Sequence, residues 1–332
     1  MVVSIWITDN CNMNCDYCYV GEKGKRNMPL SFIEKIILFI NRQQPLSGTE
    51  LLYIKFFGGE PLMNFGFIKQ LMSAIQMQKY NFPVRYSITT NGTLFNSEII
   101  SYMVTNSIDC SISMDGLPEI HDKHRKMKNG KGSWKIIREN MKSLRQQGLD
   151  VTARMTCTSY TADCLLDSVK FLVKEGFRNI QAVPDYFDAG WDDECFKGLS
   201  KQYNLVKEYG KKHPELNITI GISEKNARKG NTGCGGGIST FSINVDGDIF
   251  PCTYAVAFPK FKIGDIFHIE DYQPSDFTVK REDRKDCKGC RYFQICISGR
   301  CIFLNYKITG DFYRPGDFFC SYQKLGYQYL GL

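Results

Sequence analysis

Hydrophobic residues in the first two thirds of the chain follow two alternating spacings. Short, mostly apolar runs of five to eight residues are typical of buried strands. The segments between them carry apolar side chains three and four positions apart, which predicts helices with one buried face. The predicted strands are 3–8, 51–57, 84–90, 108–114, 151–158 and 179–183. The predicted helices are 30–42, 65–78, 97–105, 133–147, 162–175 and 194–212. These are six successive strand–helix units, and such alternation indicates parallel strands covered by helices.

This alternation alone fits two α/β folds, a doubly wound sheet and an open partial barrel. In both folds the carboxyl ends of the parallel strands carry the functional site. Polar or glycine-rich segments follow five of the predicted strands, and they are residues 11–18, 58–61, 90–92, 115–116 and 184–185. We therefore expect the site to form where these segments meet.

The last hundred residues differ in composition from the rest. Residues 233–237 are glycine-rich, seven cysteines fall between Cys234 and Cys320, and the helical spacing fades. We therefore predict a domain boundary near residues 225–233. The predicted domains are 1–228 and 229–332.

The overall composition is that of a globular protein, with 43% hydrophobic and 23% charged residues among 332. The net charge of +7 is spread along the chain without a basic block, which argues against a nucleic-acid partner. No apolar run approaches the roughly 20 residues of a membrane span, and no signal peptide is recognisable. We therefore expect a cytoplasmic protein with no membrane partner. In that reducing compartment, 14 cysteines argue for metal binding over disulfides. The four histidines lie in polar stretches, which predicts surface positions.

Three cysteines, Cys11, Cys15 and Cys18, follow the first predicted strand closely. We call residues 11–18 the cysteine loop. Three thiolates can bind three irons of a cubane cluster, which leaves the fourth iron open for chemistry. A zinc site would need a fourth ligand nearby, but the next cysteine is Cys110, and a disulfide would leave one thiol over. An iron–sulfur cluster is therefore the preferred interpretation, with zinc and disulfide bonding as alternatives.

A Gly-Gly-Glu-Pro segment, residues 58–61, follows the second predicted strand. Its glycines let the backbone approach a ligand closely, and its carboxylate can hold an ammonium group. Together with the cysteine loop, whose Tyr17 is aromatic, this segment closely resembles the radical SAM (S-adenosylmethionine) superfamily. The resemblance implies a [4Fe–4S] cluster whose open iron binds SAM, and reductive cleavage of SAM to a 5′-deoxyadenosyl radical. It also favours a partial (βα)6 TIM-like barrel over the doubly wound sheet.

The resemblance further implies a set of cofactor contacts. Glu60 would receive the SAM amine. Arg154 would lie near the SAM carboxylate, with Arg125 as a competing residue. Strand-end capping is the alternative role for the polar residues at positions 91 and 113. The implied cofactor-binding residues are Tyr17, Gly58, Gly59, Glu60, Asn91, Ser113 and Arg154.

The seven distal cysteines resemble the SPASM module, which implies two auxiliary [4Fe–4S] clusters. One cluster would be bound by Cys287, Cys290, Cys296 and Cys320, and the other by Cys234, Cys252 and Cys301. The fourth iron of the second cluster would be open or bound by a non-cysteine ligand or the substrate. Two features depart from the usual pattern. Cys296 and Cys301 have four residues between them, where the usual pattern has three. No further cysteine closely follows Cys234. Zinc ribbons are the alternative for this region.

Residues 241–252 alternate in polarity around Asp246-Gly247, which predicts a β-hairpin. This hairpin would place Cys252 next to Cys234 in space. The fold implied by both resemblances is a partial (βα)6 barrel followed by a small cysteine-rich SPASM domain.

The SPASM resemblance implies an enzyme that abstracts hydrogen from a ribosomally synthesised precursor peptide, forming a thioether or carbon–carbon crosslink. The alternatives are a formylglycine-generating sulfatase maturase and a peptide epimerase, with a zinc or redox-sensor protein as the non-enzymatic possibility. In sulfatase maturases an Asp follows the cysteine that corresponds to Cys252, whereas Thr253 follows it here. Flavodoxin or ferredoxin would donate electrons. We expect no N-terminal leader-binding domain, so the barrel mouth, the SPASM face or a separate leader-binding protein would recognise a leader.

Overall fold

The computed structural model describes residues 1–21, 23–221, 234–272, 284–296 and 301–332. Within them the strands are β1 Val2–Trp6, β2 Met13–Cys15, β3 Leu52–Phe57, β4 Val84–Thr90, β5 Asp109–Ser113, β6 Arg125–Met127, β7 Val151–Cys157, β8 Asn179–Pro184, β9 Asn217–Ile220, β10 Thr240–Ile243, β11 Asp248–Phe250 and β12 Gly264–Asp265. The helices are α1 Phe32–Leu46, α2 Phe65–Met77, α3 Ser97–Thr105, α4 Pro118–His124, α5 Trp134–Gln146, α6 Leu165–Lys174, α7 Asp193–Lys212, α8 Ile302–Thr309 and α9 Asp317–Tyr329.

The six predicted strand–helix units are all present. Strands β1, β3, β4, β5, β7 and β8 are each followed by at least one helix, and most predicted bounds differ from the observed ones by a few residues. In α2 the apolar spacing buries one face, made of Phe67, Ile68, Leu71, Met72 and Ile75. The predicted α/β fold with a mostly parallel sheet is therefore confirmed.

The chain divides into two compact units. Unit 1 comprises Met1–Ser111, Lys126–Asp150 and Gly235–Phe277. Its strands are ordered β12-β11-β10-β1-β3-β4. Strand β1 lies in the middle and pairs in parallel with both β3 and β10. The sheet continues on both sides of β1, and residues Val3 and Ile5 of this strand are fully buried.

The predicted hairpin is confirmed within unit 1. Strands β10 and β11 pair antiparallel, and β12 continues the sheet beyond them. Gly247 in the turn has φ +86, a backbone conformation that glycine adopts without steric cost. Cys252 follows β11 directly, so this element of the distal region extends the sheet to which the first strand belongs.

Unit 2 comprises Ile112–Arg125, Val151–Cys234 and Thr278–Leu332. Strands β7, β8 and β9 lie side by side and are parallel. The expected fading of helices beyond residue 230 was wrong, because α8 and α9 are regular helices. Helix α9 packs on α7, with the rings of Tyr322 and Tyr203 6.0 Å apart, and this contact positions Cys320.

Two further expectations concern chain organisation. The predicted boundary between residues 228 and 229 lies outside the described residues and stays a prediction. No helix in the described part of the chain is long and apolar enough to cross a membrane.

Candidate functional site

Backbone contacts hold residues 58–61 directly against the chain that enters the cysteine loop. The amide of Gly59 donates to the carbonyl of Thr8 at 2.9 Å, and the amide of Glu60 donates to that of Asn10 at 2.8 Å. A Cβ on Gly59 would lie 2.2 Å from the Asn10 carbonyl oxygen, and one on Gly58 only 2.4 Å from that of Thr8. Both positions therefore require glycine for this close approach.

The side chain of Glu60 is buried and ties the ends of neighbouring strands together. Its Oε1 accepts hydrogen bonds from Leu62 N at 3.1 Å and Thr90 Oγ1 at 2.7 Å, and its Oε2 accepts one from Asn91 N at 2.7 Å. Burial raises the pKa of this carboxyl to about 7, although the three donors lower it. Its contact with a SAM amine stays a prediction, while its role in positioning Asn91 is directly visible.

Cys11 is the buried member of the cysteine loop. Its Sγ accepts the amide of Met13 at 3.4 Å and lies 3.9 Å from Nδ2 of Asn91. Burial raises the pKa of the thiol, whereas the Met13 amide and the nearby Lys23 ammonium lower it. Lys23 is held in place by a 2.9 Å hydrogen bond to the Met13 carbonyl. A soft sulfur with N–H donors and a cation beside it fits a negatively charged iron–sulfur ligand.

The two other loop cysteines, Cys15 and Cys18, are half-buried on one turn, where the Cys18 amide donates to the Cys15 carbonyl at 3.3 Å. In the described part of the chain, no three His, Cys, Asp or Glu side chains converge closely enough for a single metal ion. A cubane binds each thiolate through a different iron, so its ligands stand further apart than those of one ion. Ligation by these cysteines stays a prediction.

Unit 2 contains the two arginines considered for the SAM carboxylate. Arg125 is buried and committed to Asp115, with Nε to Oδ2 at 2.8 Å and Nη2 to Oδ1 at 3.0 Å. Burial would raise the pKa of Asp115, but the Arg125 guanidinium holds it below its usual range. Arg154 is exposed on β7, and Ser113 is half-buried at the end of β5. The ion pair thus leaves Arg154 as the arginine better placed to bind a ligand.

The expectation that all four histidines lie on the surface was wrong for two of them. His121 is fully buried, and its Nδ1 accepts the amide of Asp115 at 3.3 Å. Burial lowers the pKa of His121 to about 4, although Asp115 raises it. His124 is buried as well. The contact of His121 with the Asp115 backbone supports the Asp115–Arg125 pair, and His124 directly precedes Arg125 in the chain.

Four distal cysteines of unit 2 lie near one another, as the ligand set for one auxiliary cluster requires. Burial raises the pKa of the Cys320 thiol. Lys324 lowers it, and the thiols of Cys296, Cys287 and Cys290 raise it further. The Cys290 amide donates to the Cys287 carbonyl at 3.1 Å, so these two cysteines lie on one turn. Cys290 and Cys296 pack against the buried rings at positions 292 and 327. Binding of a cluster by these residues stays a prediction.

The remaining distal cysteines are Cys234, Cys252 and Cys301. Cys252 belongs to unit 1, whereas Cys234 and Cys301 belong to unit 2. All three are half-buried. Their predicted convergence around a second auxiliary cluster, including the closeness of Cys252 to Cys234, stays a prediction.

Two residues of these sites were not predicted from the sequence. Lys23 lies five residues beyond Cys18, and its ammonium returns to the cysteine loop. Arg284 lies in the charged stretch 281–286, which reads as solvated surface, but only 2% of it is exposed. Its position three residues before Cys287 was the available signal.

The first strand of the parallel α/β sheet leads into three cysteines, and a glycine–glutamate segment is hydrogen-bonded to the chain that enters them. This combination defines an enzyme class that binds an iron–sulfur cluster. Comparison with known proteins identifies this class: residues 5–172, about half of the chain, match the Radical SAM superfamily. The chain belongs to this superfamily, as the resemblance predicted. It is accordingly an enzyme that binds a [4Fe–4S] cluster and SAM, and its cysteine-rich C-terminal region fits auxiliary clusters.

Similar proteins cover nearly the whole chain. The cysteine-type anaerobic sulfatase-maturating enzyme of Clostridium novyi (strain NT) is 28% identical over 336 residues, covering 88% of this chain and 85% of the relative. The solved structure of native anSMEcpe with bound AdoMet has a TM-score of 0.81 at 20% identity and covers 99% of this chain and 96% of its own. The crystal structure of Streptococcus suis SuiB bound to precursor peptide SuiA has a TM-score of 0.69 at 18% identity, covering 96% and 75%. The two structures share the fold of this chain, which is that of a SPASM-type radical SAM enzyme.

Proposed function

We propose that this enzyme oxidises a peptide and joins two of its atoms in a thioether or carbon–carbon crosslink. Cys11, Cys15 and Cys18 would hold the SAM-binding cluster, and Glu60, Asn91, Ser113 and Arg154 would contact SAM. When bound, the cluster and SAM supply a 5′-deoxyadenosyl radical that abstracts a hydrogen atom from the substrate. Glu60 is buried and hydrogen-bonded to the Asn91 amide, which supports a positioning role for its side chain. Arg154 is exposed, which supports a role in ligand binding.

Crosslinking removes two hydrogen atoms from the peptide. The first leaves as a hydrogen atom to the deoxyadenosyl radical, and the second as a proton and an electron while the new bond forms. An auxiliary cluster would supply an acceptor for that electron when bound, and flavodoxin or ferredoxin would supply the electron that cleaves SAM. The turn that joins Cys287 to Cys290 and the packing of Cys290 and Cys296 on one pair of rings support this proposal. Together with Cys320 these residues provide four thiolates for such an electron acceptor.

Formylglycine formation is the second candidate function. Similarity to a cysteine-type anaerobic sulfatase-maturating enzyme over 88% of this chain supports it. Thr253 argues against it, because a hydroxyl is a poor general base at the position where the sulfatase-maturase pattern has a carboxylate. Both functions need a peptide substrate, and SuiB is a structural neighbour that has been seen with a precursor peptide.

Mass spectrometry of coexpressed candidate peptides, with and without a leader-binding partner, tests the reaction. A crosslink removes two hydrogens and leaves no aldehyde, whereas formylglycine reacts with hydroxylamine. An unchanged mass with inverted stereochemistry would indicate epimerisation. A modified peptide that reacts with hydroxylamine would replace the first candidate with the second.

Anaerobic iron and sulfide counting tests the cluster assignment. Two or three cubanes per chain support it, while tetrahedral zinc without iron would end it. Replacing Cys11, Cys15 and Cys18 together by Ala should abolish reductive SAM cleavage. Replacing Cys234 by Ala should preserve SAM cleavage but lose peptide modification. SAM cleavage that survives the triple replacement would refute the assignment of the cysteine loop.

A further inference from the structure

We infer that Arg284 is the buried counter-charge of the auxiliary cluster bound by Cys287, Cys290, Cys296 and Cys320, and that it raises the reduction potential of this cluster. The inference rests on the proposed ligand set and adds a residue that tunes the electron acceptor. It follows from the surroundings of Arg284.

The guanidinium of Arg284 is buried with most of its donors unused. Only 2% of the residue is exposed, and Nη2 donates to the Sγ of Cys287 at 3.5 Å. Within the described ranges, Nε and Nη1 have no hydrogen-bond partner. The guanidinium carbon lies 5.0 Å from the ring centre of Phe293, which holds the group in place by a cation–π contact.

A buried arginine in this state needs an anion. The guanidinium cannot lose its proton, and burying a charge without a partner is strongly unfavourable. The carboxylate of Asp286, two residues away, is exposed and lies 3.8 Å from Arg314 instead. The thiol of Cys287 is the group that Arg284 contacts, and it becomes negative only as a thiolate.

A cubane bound by four thiolates would supply the missing negative charge. The four thiolates together outweigh the positive charge of the iron–sulfur core, so the assembled cluster is an anion. Its sulfurs also accept hydrogen bonds, which the unused Nε–H and Nη1–H groups can donate. The donor set of Arg284 therefore matches the charge and the hydrogen-bonding capacity of the cluster.

The charge of Arg284 has a consequence for electron transfer. Reduction adds one negative charge to the cluster, and a nearby cation with N–H donors stabilises the reduced state more than the oxidised state. Arg284 should therefore raise the midpoint potential, which makes this cluster a better electron acceptor.

The test is an EPR-monitored redox titration of the full-length holoenzyme. Cys11, Cys15 and Cys18 are replaced by Ala in every sample so that only auxiliary clusters titrate. Arg284→Gln should shift one midpoint to lower potential, and Arg284→Lys, which keeps the charge but loses the planar fork, should shift it less. Arg291→Gln is the matched control.

Arg291 follows Cys290 directly, but it is exposed. Its Nη2 donates to the hydroxyl of Tyr292 and to the carbonyl of Leu332. Since solvent screens an exposed charge, the control variant should keep the wild-type potential. A midpoint that is unchanged in Arg284→Gln at full iron content would overturn the inference and leave the proposed function standing. Absence of auxiliary iron from the unmodified distal sites would overturn both.

If Arg284→Gln loses iron while the other variants keep it, a second measurement separates a role toward the cluster from a purely structural role. Arg284→Met is compared with wild type in thermal melts of the metal-free full chain. If the guanidinium serves the cluster, its replacement should leave the metal-free protein equally stable or more stable, because a buried charge without an anion is removed. A lower melting temperature for Arg284→Met would show a purely structural role and overturn the inference.

Discussion

Replacing Gly59 by Ala should disrupt the join between residues 58–61 and the cysteine loop. The new Cβ would lie 2.2 Å from the carbonyl oxygen of Asn10 and 2.5 Å from its carbonyl carbon, and both are backbone atoms that no rotamer change can remove. Relief requires a backbone shift, which costs about 1–3 kcal/mol for overpacking. The shift would also weaken the hydrogen bond from Glu60 N to Asn10 O, whose net contribution to stability is about 1 kcal/mol. We therefore expect a loss of about 2–4 kcal/mol in the free energy of unfolding.

Anaerobic urea denaturation measures this loss, with SAM binding and iron content as second readouts. Gly66→Ala is the matched control, because Gly66 lies in α2 and an added Cβ there meets no atom within 4 Å. Alanine is the better helix former by about 1 kcal/mol, so the control should be unchanged or slightly more stable. The cysteine loop should move only in Gly59→Ala, which should therefore also bind less SAM. Wild-type stability together with wild-type SAM binding in Gly59→Ala would refute the reasoning.

Three further predictions concern charged residues, of which Glu60 and Arg125 are buried and Arg154 is exposed. Burial raises the pKa of Glu60 from 4.5 to about 7, so the folded protein holds this proton more tightly than the unfolded chain does. The stability gained from protonation is therefore complete below pH 4.5 and is lost as the pH rises through 7. Denaturation between pH 5 and 8 should show this loss in wild type and not in Glu60→Gln, and parallel curves would contradict it. Arg125→Met should cost about 3–5 kcal/mol of unfolding free energy because it leaves Asp115 buried without its ion partner. Arg154→Gln should change stability by less than about 0.5 kcal/mol but weaken SAM binding, and calorimetric titration showing normal affinity would remove Arg154 from the pocket.

The fold was largely predictable from local pattern. Strands β4 and β7 have apolar alternation, and helix α2 has apolar residues on one face, so each can be recognised without knowledge of its neighbours. Helix α8 was missed because its apolar residues surround the helix and produce no single face. Helix α9 was missed because its aromatic residues stand in a cysteine-rich region whose composition suggests irregular structure.

The chemistry of the site was predictable where spacing determines it. The cysteine loop and residues 58–61 are short segments whose residues act together, and the superfamily match confirms the class that they indicate. The buried ionic groups were not predictable, because burial depends on tertiary contacts. Arg125 pairs with Asp115, ten residues earlier, and Arg284 is buried although the next two charged residues, Lys285 and Asp286, are exposed.

The pairing of β1 with β10 has a consequence for the synthesis of the protein. The two strands lie about 240 residues apart in the chain, so this contact forms late and carries a high loop-closure cost. Until β10 leaves the ribosome, β1 can pair only with β3 and presents an open strand edge, which is a hazard for aggregation. The cysteine loop follows β1 directly. The strand that leads into the cysteine loop therefore gains its second neighbour only after the chain has been made as far as Ile243.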